Sequence, residues 1–190
     1  MNIAIFASGV GSNYTAISNA IKDGKLDATI NLVVCDKENA EVIKKVKKDN
    51  NEIFVFNPKK FNSKSEYEKI IVEKCIEKDI SLIVLAGYMR ILGSTLLDAF
   101  PNRIINIHPS LLPAFKGKDA IGQAIEYGVK VMGVSIHYVN SEMDGGKIIA
   151  QKSFEVNDRL TKEEIENKVH EIEHILYPTV IQKLIQGGLK

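Results

Sequence analysis

Two cysteines in 190 residues, Cys35 and Cys75, are too few for a disulfide framework, and both sit inside apolar segments. A chain of this length buries a sizeable core without such staples, so the pair is expected as buried, reduced thiols. Long apolar runs are lacking too, so no transmembrane span is expected. The amino terminus passes directly into Asn2-Ile3-Ala4-Ile5-Phe6-Ala7, without the basic segment and long apolar stretch of a signal peptide, and the expected location is the cytoplasm. Nor is there a charge surplus. With 25 basic against 24 acidic residues the net charge is +1, which removes the electrostatic case for nucleic acid or a membrane surface. The densest basic stretch, Lys44-Lys45-Val46-Lys47-Lys48, fits the solvated face of a helix. Without internal repeats, low-complexity tracts or linkers, residues 1–190 are expected to form a single domain whose halves, about 1–100 and 101–190, share one sheet.

What is present is an alternation of strands and helices. Hydrophobic periodicity predicts strands at 2–7, 28–35 and 53–56 with helices at 12–22 and 39–49 between them. A helix over 64–79 leads into Ser81-Leu82-Ile83-Val84-Leu85-Ala86, so apolar that both its faces must be covered, as in a parallel sheet. Further elements follow at 94–99 (helix), 103–108 (strand), 119–127 (helix), 131–138 and 147–154 (strands), and 161–185 (amphipathic helix). The expected class is α/β, a Rossmann-like open, mostly parallel twisted sheet with helices on both faces.

The most informative segment is Ile105-Asn106-Ile107-His108-Pro109-Ser110-Leu111-Leu112-Pro113. Side chains alternate along a strand, so Asn106 and His108 share one face while Ile105 and Ile107 take the other. Pro109 cannot donate to a ladder and ends the strand there, where open α/β folds place their sites. The bland account makes Asn106 a turn residue and His108 a surface histidine. Downstream, Asn140-Ser141-Glu142-Met143-Asp144-Gly145-Gly146 is ordinary hairpin chemistry that could also bring a carboxylate near His108. Asn106, His108 and Asp144 would then suit acyl transfer without a nucleophilic serine or cysteine. The rival nucleophile Ser110 lacks the G-x-S-x-G elbow and is expected to support its loop instead.

Ser8-Gly9-Val10-Gly11-Ser12-Asn13 lies between an apolar strand and a helix. Glycine permits close backbone approach, and a helix amino terminus favours an anion, typically phosphate. With Asp36 ending the second strand, the turn could also begin a dinucleotide fingerprint, but Tyr14 holds the third glycine position, so a phosphomonoester fits better. A glycine turn with no ligand remains the plain alternative. On the last helix, His170-Glu171-Ile172-Glu173-His174 matches the zinc-hydrolase pattern H-E-x-x-H, yet His108 and His137 lie on other elements and supply no evident third ligand. The other account packs Val169, Ile172, Leu176 and Val180 on the sheet and turns Glu173 or His174 toward the site.

These segments resemble the phosphoribosylglycinamide formyltransferase family nearly end to end. The resemblance rests on Ser8–Asn13, Leu85-Ala86-Gly87-Tyr88-Met89-Arg90-Ile91-Leu92, Asn106–Pro113, Met143-Asp144-Gly145-Gly146 and Glu173-His174-Ile175-Leu176-Tyr177-Pro178. It implies transfer of the formyl group of 10-formyltetrahydrofolate to the amine of glycinamide ribonucleotide in purine biosynthesis, with no metal. Asn106, His108 and Asp144 would be catalytic. Gly11, Ser12, Asn13, His170 and Glu173 would bind the ribonucleotide. Lys64, Met89, Arg90, Ile91, Leu92, Asn106, Asn140, Ser141 and Asp144 would hold the folate. The resemblance also implies a cis peptide before Pro113 and a monomer or weak homodimer with small-molecule partners only.

Two positions depart from the family's pattern. Lys64 stands where relatives can carry arginine, keeping charge but losing the bidentate fork. Lys147 replaces a frequent proline. Hydrolysis of formyltetrahydrofolate would use the same Asn-His-Asp set, but the phosphate turn and the lack of an amino-terminal regulatory domain weigh against it. Methionyl-tRNA formylation would want a basic RNA-binding extension. A zinc hydrolase using His170 and His174 and a dinucleotide sensor are the rivals from outside the superfamily.

Overall fold

In the computed structural model, which describes residues 1–157 and 159–187, seven strands form one sheet in the order β3-β2-β1-β4-β5-β6-β7. The elements are β1 (Asn2–Ala7), α1 (Ser12–Lys22), β2 (Thr29–Cys35), α2 (Val42–Lys48), β3 (Ile53–Val55), α3 (Lys64–Glu77), β4 (Leu82–Leu85), α4 (Ser94–Ala99), β5 (Ile104–His108), α5 (Ala120–Tyr127), β6 (Val131–Tyr138), β7 (Ile148–Glu155) and α6 (Lys162–Gly187). Strands β1 to β5 run parallel, and β6 and β7 are antiparallel additions. The expected mostly parallel sheet is therefore what forms.

The two-residue period of the strands sorts their side chains onto two cores. Ile3, Ile5, Val33, Cys35, Val84, Ile105 and Ile107 pack with α1, α2 and α6, through Tyr14, Ile17, Val42, Val46, Val169 and Tyr177 among others. Ala4, Phe6, Leu32, Val34, Ile83, Leu85 and Ile104 pack on the other face with Tyr67, Ile71 and Cys75 of α3 and Leu96 of α4. The two buried free thiols thus lie in different cores and cannot meet. The apolar stripe of α6 meets the sheet as its periodicity predicts, and the helix runs on through Pro178.

Most element ends fall within two residues of the sequence pattern, with one larger shift and one added turn. Helix α2 begins at Val42 rather than near 39, where the Val42 N–H is taken by the Gly9 carbonyl at 3.1 Å. A single 3-10 turn, Pro58–Lys60, is too short to leave a period; Asn57 caps it by accepting from Lys59 N–H.

Strand order reverses beside β1, since β2 lies on one side of it and β4 on the other. At such a switch point the following loops diverge and open a crevice beyond the strand carboxyl ends. The loops bordering it are 8–13 and 86–93, the glycine turn and the segment Gly87–Leu92. Helix α6 is tied to the same end of the sheet, because the buried Tyr177 hydroxyl donates to Leu85 O at 2.8 Å and lies 3.2 Å from Ile105 O.

Candidate active site

Antiparallel pairing of β5 and β6 sets Asn106 opposite His137 and His108 opposite Ser135. Cross-strand partners share a face, so these four polar side chains gather on one side of the sheet end. Asn106 and His108 do share that face, as their spacing predicts, and their link to each other runs through His137 and Asp144. Asn106 Nδ2 lies 3.2 Å from His137 Nε2, and His137 Nδ1 lies 2.8 Å from the Tyr138 carbonyl. A carbonyl only accepts, so Nδ1 carries the proton and Nε2 accepts from Asn106. One N–H of the Asn106 amide is occupied in this way, and its second remains for a ligand.

Asp144 stands between the two histidines. Its Oδ2 is 3.5 Å from His108 Nδ1 and accepts from Gly117 N–H at 2.8 Å, while Oδ1 is 3.7 Å from His137 Nε2. Burial alone would push this carboxyl up, but the His137 ring, the Gly117 N–H and His108 together outweigh it and hold the group below its ordinary range. At 3.7 Å the His137 ring is a close electrostatic neighbour rather than a hydrogen-bonded partner. His108, only 6 % exposed, has Nε2 at 2.8 Å from the Phe115 carbonyl. Nε2 therefore carries a proton, and a second proton on Nδ1 would face Asp144.

The hairpin turn delivers Asp144 in a left-handed conformation, φ 50°. Gly146 follows because any Cβ there would run into the Tyr138 carbonyl. Lys147, the departure from proline, closes the ladder through its carbonyl, which accepts from Tyr138 N–H at 2.9 Å. Ser110 is no nucleophile in this setting. It is 3 % exposed, and its hydroxyl donates to the Ala114 carbonyl at 2.6 Å. Ser135, overlooked in the sequence, anchors the same loop by donating to Ser110 O and accepting from Leu112 N–H. The Leu112–Pro113 peptide is cis.

At the glycine turn, Gly11 has φ 75°, and a Cβ on it would lie 2.5 Å from Val42 Cγ2. Conformation and packing both exclude a side chain there. No side chain caps α1, so its first-turn N–H groups lack intrahelical partners. Tyr14 fills the space beneath the helix where a dinucleotide fingerprint needs glycine, its hydroxyl donating to Asp49 and accepting from Asn51. Glu173, 5 % exposed, accepts from Asn13 Nδ2 at 3.0 Å and sits 3.1 Å from His170 Nδ1. Of the two α6 candidates it is Glu173 that joins the glycine turn. Hydrogen bonding to Glu173 raises the His170 pKa, whereas burial lowers that of His174. The two imidazoles stack at 6.2 Å with an interplanar angle of 12°. Parallel rings do not aim their nitrogens at a common ion, and no group of three metal-ligating side chains occurs among the described residues.

The segment after β4 is held at alternate residues: Met89 N–H donates to Ser8 Oγ, Lys64 Nζ to the Ile91 carbonyl, and Gly93 N–H to Glu68. Met89 and Ile91 are exposed, Leu92 is buried, and Asn140 and Ser141 lie exposed on the neighbouring hairpin. Asp36 accepts from both Ser8 Oγ and Arg90 Nε, so its oxygens are engaged and the ribose contact of a dinucleotide site is not what it makes. Sequence reasoning missed the parts played by His137, Ser135 and Glu68, and it put Ser8 in the glycine turn without its ties to Asp36 and Met89. The first two were signalled by polar residues alternating with Val134 and Ile136.

Residues 1–181 match the formyl transferase family. Phosphoribosylglycinamide formyltransferase of Bacillus subtilis is 49 % identical over 182 residues, 96 % of this chain and 93 % of that one. The crystal structure of phosphoribosylglycinamide formyltransferase from Bacillus halodurans superposes with a TM-score of 0.94 at 46 % identity, covering 97 % of this chain and 95 % of its own. Glycinamide ribonucleotide transformylase 1 from Geobacillus kaustophilus does so with a TM-score of 0.94 at 48 % identity, covering 96 % and 97 %. The helices show no membrane span among the described residues. With a family match over residues 1–181 and relatives alike over nearly its whole length, the chain belongs to the phosphoribosylglycinamide formyltransferase family of one-carbon transferases.

Proposed function

We propose that this chain transfers the formyl group of 10-formyltetrahydrofolate to the primary amine of glycinamide ribonucleotide, in the cytoplasm and as a step of purine biosynthesis. The observation that carries the proposal is Asp144 held between His108 and His137 beside Asn106. A carboxylate held there faces His108 Nδ1 at 3.5 Å, so a cation formed at that ring during the reaction has its counter-charge in place beside an oxygen that gains negative charge.

The amine attacks the formyl carbon, and charge develops on the formyl oxygen of the tetrahedral intermediate. Asn106 stabilises that oxygen through its second N–H, and protonated His108 does so by its charge, or by Nε2–H once that group leaves the Phe115 carbonyl. Asp144 sustains the imidazolium and assists movement of the proton from the attacking amine to the departing folate nitrogen. The amino-terminal half takes the ribonucleotide: its phosphate sits at Gly11, Ser12 and Asn13, and Glu173 with His170 partners the substrate around its amine. Folate lies along Met89, Arg90, Ile91 and Leu92 and the hairpin at Asn140, Ser141 and Asp144. Side chains already take Met89 N–H, Ile91 C=O and Gly93 N–H, and the backbone groups at Arg90 and Leu92 are among those left to read the pterin. Lys64, directed at Ile91 C=O, borders the folate tail.

The test is tetrahydrofolate release from 10-formyltetrahydrofolate, with and without glycinamide ribonucleotide, in the wild type and in His108→Ala. Release that requires the ribonucleotide and collapses in the variant supports the transferase. Release without the ribonucleotide makes the chain a hydrolase.

A further inference from the structure

We infer that Asp36 is a positioning residue that fixes the folate loop to the phosphate turn and thereby sets affinity for the folate co-substrate; this rests on the assignment of Met89–Leu92 to folate made above. Asp36 follows β2, Ser8 follows β1, and Met89 and Arg90 follow β4, and these three strands are neighbours in the order β2-β1-β4. The carboxylate of Asp36, 6 % exposed, joins all three strand ends. Its Oδ1 accepts from Ser8 Oγ, and its Oδ2 accepts from Arg90 Nε at 2.8 Å. The Ser8 hydroxyl in turn accepts from Met89 N–H at 2.9 Å, and Ser8 N–H donates to Gly87 O at 3.1 Å.

The chemistry of this node is directional. A hydroxyl has one proton, and giving it to Asp36 leaves the Ser8 lone pairs for Met89 N–H. One acid therefore orients the Arg90 guanidinium directly and the Met89 amide through Ser8. The other pins of the loop, Lys64 at Ile91 and Glu68 at Gly93, come from α3 and act farther along. Beside the backbone tie from Ser8 N–H to Gly87 O, Asp36 is the side chain that links Arg90 to Ser8, whose next residues form the phosphate turn. Arg90 lies on the wall of a cleft of about 620 Å³ shared with Ser8, Gly9 and Lys37, so its orientation shapes the space beside the loop. Removing the acid would leave a partly buried guanidinium without its counter-charge and free the Ser8 hydroxyl to turn away.

The experiment compares wild type, Asp36→Asn, Ser8→Ala and the double variant. Tetrahydrofolate binding is measured by calorimetry without turnover, alongside KM for both substrates and kcat. The expected result is a tetrahydrofolate Kd and a 10-formyltetrahydrofolate KM raised about tenfold, the size of one charge-assisted hydrogen bond. KM for the ribonucleotide and kcat should stay within about threefold, and the two single effects on Kd should be non-additive because they act along one relay. Ser8→Ala leaves every charge in place, so it keeps the test open if Asp36→Asn does not fold. Unchanged tetrahydrofolate affinity in the variants overturns the inference while leaving the transferase intact. So do additive effects in which both substrates weaken together. A wild type that does not bind tetrahydrofolate overturns the folate assignment itself.

Discussion

His108 Nδ1 faces Asp144 Oδ2 at 3.5 Å across the junction of a strand end and a hairpin turn, and the same carboxylate oxygen also takes the Gly117 N–H. An imidazole nitrogen and a backbone amide thus converge on one oxygen, aiming the acid at the imidazole. The carboxyl is kept below its ordinary range against the upward pull of burial.

Asp144→Asn keeps the shape of this junction and removes its charge. The expected outcome is a kcat lowered about 10²-fold or more, within the range that positioned acid–base groups contribute, with KM for either substrate changed only a few-fold. Steady-state kinetics check this; a large rise in KM at unchanged kcat would assign Asp144 to binding instead.

His137 touches Asn106 and not the proposed reacting atoms. His137→Phe should release the Asn106 amide from its partner and lower kcat about tenfold, whereas Asn106→Ala should cost about 10²–10³-fold, as for loss of one oxyanion donor. Equal losses in the two variants would mean that His137 acts on the substrate itself. Crystal structures of both variants report whether the amide has turned.

Gly11→Ala would put a Cβ 2.5 Å from Val42 Cγ2 on a backbone at φ 75°. The strain should destabilise the fold by about 1–3 kcal/mol and disturb the turn, weakening ribonucleotide affinity more than folate affinity. Urea unfolding midpoints and separate binding titrations measure the two effects. An alanine variant as stable as wild type would show that α2 can retreat.

The two histidines of α6 should titrate on opposite sides of the ordinary histidine value. His170 is raised by its bond to Glu173, with Glu166 adding to the effect. Its stabilising contribution is therefore full below the unfolded value of about 6.5 and is lost as pH rises through the folded value. His174 is lowered, first by burial and then by His170 and Lys45 against the opposing pull of Glu173. Its effect has the other sign: stability is full above about 6.5 and falls as acid forces a proton onto the half-buried ring. Ring-proton NMR titration resolves the pair, and Glu173→Gln should bring the His170 midpoint down.

Much of this protein was legible before folding was considered. Period-two and period-3.6 patterns located the seven strands and six helices, because apolar side chains must reach one of two cores. Ser8–Asn13 marked a tight glycine turn into a helix, and Gly11 at φ 75° with no room for a Cβ is that turn. The spacing of Asn106 and His108 put them on one face. What stayed open depends on register. His137 and Ser135 became part of the site only when β6 paired antiparallel to β5, a choice of neighbour that local pattern does not encode. Asp144 could be suspected beside His108, but its second neighbour, His137, and the Gly117 N–H come from the closed hairpin and loop.

Composition, periodicity and motif spacing by themselves determined an α/β chain with a glycine turn at a helix amino terminus and an amide–imidazole pair at a strand end, since those properties are set by local sterics and burial. Tertiary structure alone decided which charges face one another. It turned Asp36 from a possible ribose ligand into the tie between Ser8 and Arg90. It also turned the H-E-x-x-H helix from a candidate metal site into the carrier of Glu173, joined to Asn13 at 3.0 Å. Electrostatic and hydrogen-bonding partners are selected by distance in space, and strand order sets those distances.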